Sequence, residues 1–193
     1  MKNLVARREF LKTAGAVAAL AALGPQSFAA EEKPLAAGHF KKGIMWGTVG
    51  GKGSVADKMK AIKAAGFDGA EMMGRMDQAA VLKARDEAGL EIPSVCCERH
   101  WKLPLSNPDP KVRAEGLADL QQTLRDAKAY GAGSVLLVPG IVNQEVSFED
   151  CWKRSIEQIR LAIPLAGELG VKISIENVWN NFITTQEQAV RYL

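Results

Sequence analysis

Val171-Lys172-Ile173-Ser174-Ile175-Glu176-Asn177-Val178-Trp179-Asn180 reads as a short buried strand that carries one carboxylate, Glu176, to its C-terminal end. Gly170 precedes it, and before that glycine lies a helical stretch, 149–169. Its apolar residues Trp152, Ile156, Ile159 and Ile163 step by four, three and four. Such spacing lines one face of a helix that has to be buried. A glycine just past the helix suits the left-handed residue that commonly ends one.

The same grammar recurs upstream. Strands are predicted over 43–46, 68–73, 92–97, 134–139 and 171–176, and helices over 54–65, 77–88, 111–130 and 149–169. Val55, Met59, Ile62 and Ala65 line one helix face, and Leu117, Leu120, Leu124 and Ala127 another. Gly66, Gly89, Gly131 and Gly170 each follow a helix. Strands alternating with helices imply parallel pairing through crossovers, and nearly continuous apolar strands imply cover on both faces. The expected fold class is α/β, of the (β/α)8 TIM-barrel type. An open doubly wound sheet is disfavoured, because Thr48-Val49-Gly50-Gly51-Lys52-Gly53 matches neither phosphate-binding glycine pattern. A full barrel takes roughly 250 residues, so the 193 residues here lead us to expect one truncated to about five βα units. Thr184 and Glu187 resemble a capping box that opens a further helix running to Leu193.

The N-terminus reads differently. Arg7-Arg8-Glu9-Phe10-Leu11-Lys12 precedes an apolar run from Ala14 to Leu23, and Ser27-Phe28-Ala29 offers small residues for cleavage. This pattern resembles a twin-arginine export signal, implying the twin-arginine machinery as a partner, a periplasmic or otherwise exported destination, and no stable membrane anchor. The expected organisation is a signal over 1–29, a linker over 30–42 and the barrel part over 43–193. Taking Lys2, Arg7, Arg8, Lys12 and Glu9 away from the chain's 25 basic and 22 acidic residues leaves the remainder neutral. That balance argues against nucleic acid as a partner. The three cysteines, Cys96, Cys97 and Cys151, form no framework. The adjacent pair is read as packing, and a bridge to Cys151 stays open.

Ligands of parallel α/β folds sit at the C-terminal strand ends. Glu176 is therefore the leading candidate, as a catalytic base, a metal ligand or both; its oxygens suit magnesium or manganese. Asn177 and Asn180 follow it and can meet sugar hydroxyls or serve as turn residues. His100, beside Trp101 after the third strand, is a candidate substrate contact or a surface-loop histidine. Glu71 is expected at the end of the second strand, aimed into the mouth or paired with a base. Trp46, closing the first strand, forms an apolar wall or packs in the core. Arg75, Arg99 and Lys102 occupy loops where they could meet phosphate or water.

Gly66-Phe67-Asp68-Gly69-Ala70-Glu71, the Arg99-to-Ser106 loop, Val138-Pro139-Gly140 and Ile175-Glu176-Asn177-Val178-Trp179-Asn180 together resemble the xylose-isomerase-like barrel superfamily, including its sugar-phosphate isomerase/epimerase group. The resemblance implies a small carbohydrate substrate and a divalent metal: manganese, magnesium or cobalt, with zinc a further option. Four strand-end side chains hold the metal in that family, and Glu176 matches the first of them by motif position. The implied reaction passes a proton through an enediolate. Some ketose 3-epimerases carry a second glutamate six residues on, where this chain has Phe182. The later ligands are not present, so the chain alone is expected to be inactive. Two other readings stay in view. One is an exported, non-catalytic sugar- or partner-binding barrel. The other is an endonuclease-IV-like nuclease, which the two histidines and neutral charge disfavour. A homo-oligomer remains open.

Overall fold

Five short strands pair side by side in chain order, every pair parallel: β1 (Gly43–Met45), β2 (Gly69–Met73), β3 (Ser94–Cys96), β4 (Ser134–Leu137) and β5 (Lys172–Ile175). The helices between and after them are α1 (Val55–Ala64), α2 (Gln78–Ala88), α3 (Pro110–Tyr130), α4 (Phe148–Leu169) and α5 (Gln186–Tyr192). This computed structural model describes residues 40–193; the expected signal and the linker up to residue 39 lie outside the described residues. Residues Lys41–Leu193 make one compact unit.

The sequential order separates the two architectures weighed from the sequence. A doubly wound sheet reverses its strand order at a switch point and carries helices on both faces. With no reversal, right-handed crossovers put every helix on one face. Accordingly α1 packs on α2, α2 on α3 and α3 on α4. The sheet is wound as in a barrel.

Side chains alternate across a strand, so parallel register sorts them into two faces. Ala70, Met72, Val95, Val135 and Leu137 point to the helices and are essentially inaccessible. Met59 of α1, Val81 of α2 and Leu120 and Leu124 of α3 meet them in one core. Each such large apolar side chain contributes about 1.5–3 kcal/mol. The opposite, helix-free face carries Met45, Glu71, Met73, Ser94, Cys96, Leu136 and Ser174.

Local signals place the helix ends. Ser54 and Asp57 close a capping box at α1. Asp109 caps α3 with Pro110 in its first turn, and Ser147 caps α4. Gly170 ends α4 at φ 67°, a conformation that penalises any side chain with a Cβ. The box at α5 uses Thr185 and Gln188, one residue later than Thr184 and Glu187, because the helix starts at Gln186. The thiols of Cys96, Cys97 and Cys151 are all free and buried. Among the described residues, no helix is long and apolar enough to cross a membrane.

Two helical glycines predict opposite responses to one substitution. Alanine gains about 1 kcal/mol over glycine inside a helix. At Gly167 of α4 an added Cβ meets nothing within 4 Å. At Gly116 of α3 it would drive into the backbone carbonyl of Leu103, and overpacking costs about 1–3 kcal/mol. Denaturant unfolding should therefore show Gly167→Ala more stable than wild type and Gly116→Ala less stable. A stabilised Gly116→Ala would contradict the close docking of this loop on α3.

Candidate active site

The helix-free face holds two carboxylates toward the C-terminal side of the sheet. Glu71 is the third of five residues in β2, so the structure corrects its expected place at the strand end. It lies beside Met45 of β1, and Ser94 of β3 donates its hydroxyl to Glu71 Oε1 at 2.5 Å. Glu176 follows β5 immediately, and its N–H donates to Leu137 O at 2.9 Å, extending the ladder by one residue. Its half-buried carboxyl is pushed above the usual carboxylate range, first by burial and then by the negative charge of Glu71. Cys96, buried on the same face, is pushed up to about 12 by burial and by both glutamates, so it remains a thiol.

This arrangement has two chemical uses. A half-buried carboxyl whose charged form is disfavoured has a higher proton affinity than a solvated one, which suits it to take a proton from carbon. Two carboxylates that repel each other are also hard oxygen donors for a divalent cation, which would relieve the repulsion. The donor set fits such a cation in part. Among the described residues, no three His, Cys, Asp or Glu side chains converge on one point.

The other candidates lie in varied places. Asn177 is exposed directly beside Glu176. Asn180 is buried and works as a clamp: its Nδ2 donates to Gly140 O at 2.9 Å, and its own carbonyl accepts the Val142 N–H at 2.9 Å. The loops after β4 and β5 are thereby tied together. Trp46 starts a short 3-10 turn after β1 and does not close the strand. It packs with the helix-side core, where the Lys58 ammonium sits 5.5 Å from its ring centroid. Trp46 is thus half-buried against that core.

His100 is also turned inward, 9% exposed. Its Nδ1 accepts the Val138 N–H at 3.2 Å, just past β4, and it shares a small cavity with Cys97, Leu105, Gly116 and Asp119. Trp101 packs edge-on against it. An acceptor at Nδ1 requires the neutral ring with its proton on Nε2. Burial agrees, pulling the group down to about 4 despite the opposing charge of Asp119. In this structure His100 latches the loop after β3 to β4.

Three features were not anticipated from the sequence. Trp179, three residues after Glu176 in sequence, stands almost entirely in solvent. Cys96 lies between the two glutamates. Asp119 and Asp126 of α3 capture the loop after β2: the Arg75 N–H donates to Asp126 Oδ2 at 2.7 Å and Arg75 Nε donates to Asp119. Gln78 and Gln122 add further bonds to Asp126. Arg75 is thus committed to the scaffold. Asp119, Thr123 and Asp126 step by four and three beside the apolar Leu120, Leu124 and Ala127, and acids in that stripe were the available signal.

The His100 latch makes a pH prediction. Between its ordinary value of 6.5 and about 4, the unfolded chain binds a proton that native His100 refuses. Its contribution to stability is therefore complete above that window and falls as pH drops through it, by on the order of 3 kcal/mol. Asparagine offers an acceptor oxygen and does not titrate. Urea unfolding at several pH values should show wild type losing stability relative to His100→Asn on acidification. A difference independent of pH would contradict the neutral, accepting imidazole.

Comparison with known proteins agrees with the fold. An L-ribulose-5-phosphate 3-epimerase, UlaE, of Escherichia coli O157:H7 is 24% identical over 133 residues, covering 62% of this chain and 47% of the relative. The chain thus spans about half the length of the curated relatives it matches. The crystal structure of the 3-keto-D-glucoside 4-epimerase YcjR from E. coli superposes with a TM-score of 0.67 at 20% identity, over 79% of this chain and 63% of that one. The IolI protein, with a bound zinc atom, gives 0.64 at 18% identity over 79% and 58%. Residues 59–193 match the model of the xylose isomerase-like TIM barrel, and the chain belongs to that family.

Proposed function

We propose that this chain contributes five βα units to a divalent-metal-dependent isomerase or epimerase of a sugar or sugar phosphate. The observation that carries the reading is the Glu71–Glu176 pair on the helix-free face, with the Glu176 carboxyl raised by burial and like charge. Support comes from relatives named as sugar epimerases and from a fold neighbour that holds zinc.

Glu176 is the proposed base. It takes the proton from the carbon beside the substrate carbonyl, leaving an enediolate. Return of that proton from Glu176 to the neighbouring carbon, with the hydroxyl proton passing to the former carbonyl oxygen, gives an isomer; an epimer requires a second acid on the opposite face of the enediolate to protonate the same carbon. Glu71, held by Ser94, adds to burial in raising the proton affinity of Glu176. Asn177 is placed to orient substrate hydroxyls. Glu176 is also the proposed first metal ligand, with Glu71 facing the same space; a bound divalent cation would polarise the substrate carbonyl. Manganese, magnesium, cobalt or zinc would serve.

We further propose export by the twin-arginine route, a reading that rests on Arg7-Arg8 ahead of the apolar run to Leu23.

Binding is the decisive readout for a chain of this span. If a ketose and the cation share one site, each must tighten the other by the same factor. Manganese(II) titrations with and without L-ribulose 5-phosphate or a neutral ketohexose should show affinity rising with sugar. Both the affinity and the coupling should fall about tenfold or more in Glu176→Gln, a loss of one charged ligand. Unchanged manganese binding in that variant would remove Glu176 from the role.

A further inference from the structure

We propose that the small cavity between α3 and the loop after β3 is a binding site for one internal water, which joins the loops after β2, β3 and β4 into a single unit centred on Asp119. Every residue involved lies between β2 and the residue after β4, and none is needed for the sugar or metal reading above.

The cavity leaves about 10 Å3 open to the centre of a water molecule, between the apolar side chains of Leu105, Leu120 and Leu137. That is enough for one water, and water occupies such a space where two to four polar partners meet it. Four border this one. His100 Nδ1 is occupied by the Val138 N–H, so Nε2–H is the donor the ring has left. Asp119 is 2% exposed and brings a carboxylate whose Oδ1 receives Arg75 Nε. Cys97 lies fully buried; its thiol is pushed up by burial first, against a hydrogen bond with Thr123 and with the Asp119 charge adding to the rise. It therefore stays protonated. The fourth partner is the Leu103 carbonyl, which lies so close to Gly116 that an added Cβ would collide with it.

The Asp119 charge acts on the imidazole through space and not through a direct hydrogen bond. An N–H and a carboxylate facing an apolar void would each forfeit the bond they made in solvent, a larger cost than immobilising one water. A water accepting from His100 Nε2–H and donating to Asp119 satisfies both.

The link has a mechanical consequence. Asp119 and Asp126 already hold Arg75, whose left-handed φ of 62° is one that arginine rarely takes without restraint. Through the water, the same α3 carboxylate reaches His100 and, beyond it, the Val138 N–H. Loosening either end should then loosen the other.

The test uses the full chain, isotope-labelled for nuclear magnetic resonance. In wild type the His100 Hε2 signal should show a cross-relaxation peak to water, with the opposite NOE and ROE signs of a long-lived bound molecule. Native-state amide exchange would then be read at Arg75 and Val138 in wild type, His100→Asn, Asp119→Asn and the double variant. The Ala70 amide, bonded to Glu91 O, is the reference for global opening. We expect His100→Asn to speed exchange at Arg75, and Asp119→Asn to speed it at Val138. Each effect should be about tenfold relative to Ala70, the scale of one hydrogen bond. The double variant should exchange no faster than the faster single one, because both remove the same link. A protected Hε2 without a water peak, or a ring proton on Nδ1, would overturn the water site. Effects confined to each variant's own loop, and additive in the double variant, would overturn the shared unit. If a variant fails to fold, the wild-type water peak decides the site by itself.

Discussion

Parallel pairing in unbroken register is the constraint from which the rest of the molecule follows. Once Met72 lies beside Val95 and Val135 beside Ile173, alternation decides the destination of every strand side chain. Ala70, Met72, Val95, Val135 and Leu137 go to the helices and form the core. Glu71, Ser94, Cys96 and Ser174 go to the other face. A slip of one residue in β2 would send Glu71 into the apolar core and Met72 to the mouth. The same register that buries the core therefore assembles the carboxylates.

Holding the loops is a separate task, performed by buried polar groups. Three latches fasten the C-terminal loops of the sheet. Arg75 binds the loop after β2 to Asp119 and Asp126 of α3. His100 accepts the Val138 N–H and ties the loop after β3 to β4. Asn180 joins the loops after β4 and β5 through Gly140 and Val142. Ser106 adds a fourth tie by accepting the Ile141 N–H at 2.9 Å. Buried polar groups are costly unless bonded, so each latch favours one loop conformation over its alternatives. A site that depends on the placement of Glu176 and its neighbours gains a fixed frame.

The sequence made the scaffold legible because helical periodicity and helix-ending glycines are local signals. Leu117, Leu120, Leu124 and Ala127 announce the buried face of α3 without any knowledge of its partner. The site was harder. Trp46 and His100 both stand next to strand ends, and from sequence alone either could face the mouth. The face each one takes depends on register and on loop reversal, which are tertiary facts. Asn177 and Asn180 illustrate the same limit: three residues apart in one loop, one is exposed and the other fully buried. Glu71 was placed on the right strand but two residues too near its end, since Met72 and Met73 carry β2 further. Asn180 and Phe182 are both buried by residues distant in sequence, which no local signal announces.

The central claim is that the helix-free face at the ends of β2, β3 and β5 is where a divalent cation binds. Manganese(II) broadens nuclear resonances near it, so an assigned amide spectrum under substoichiometric manganese locates the ion directly. The account predicts selective loss of the Met73, Cys96, Ser174, Glu176 and Asn177 signals, with α1 to α3 spared. Broadening centred on Asp119 and Asp126, or spread evenly over exposed acids, would contradict it.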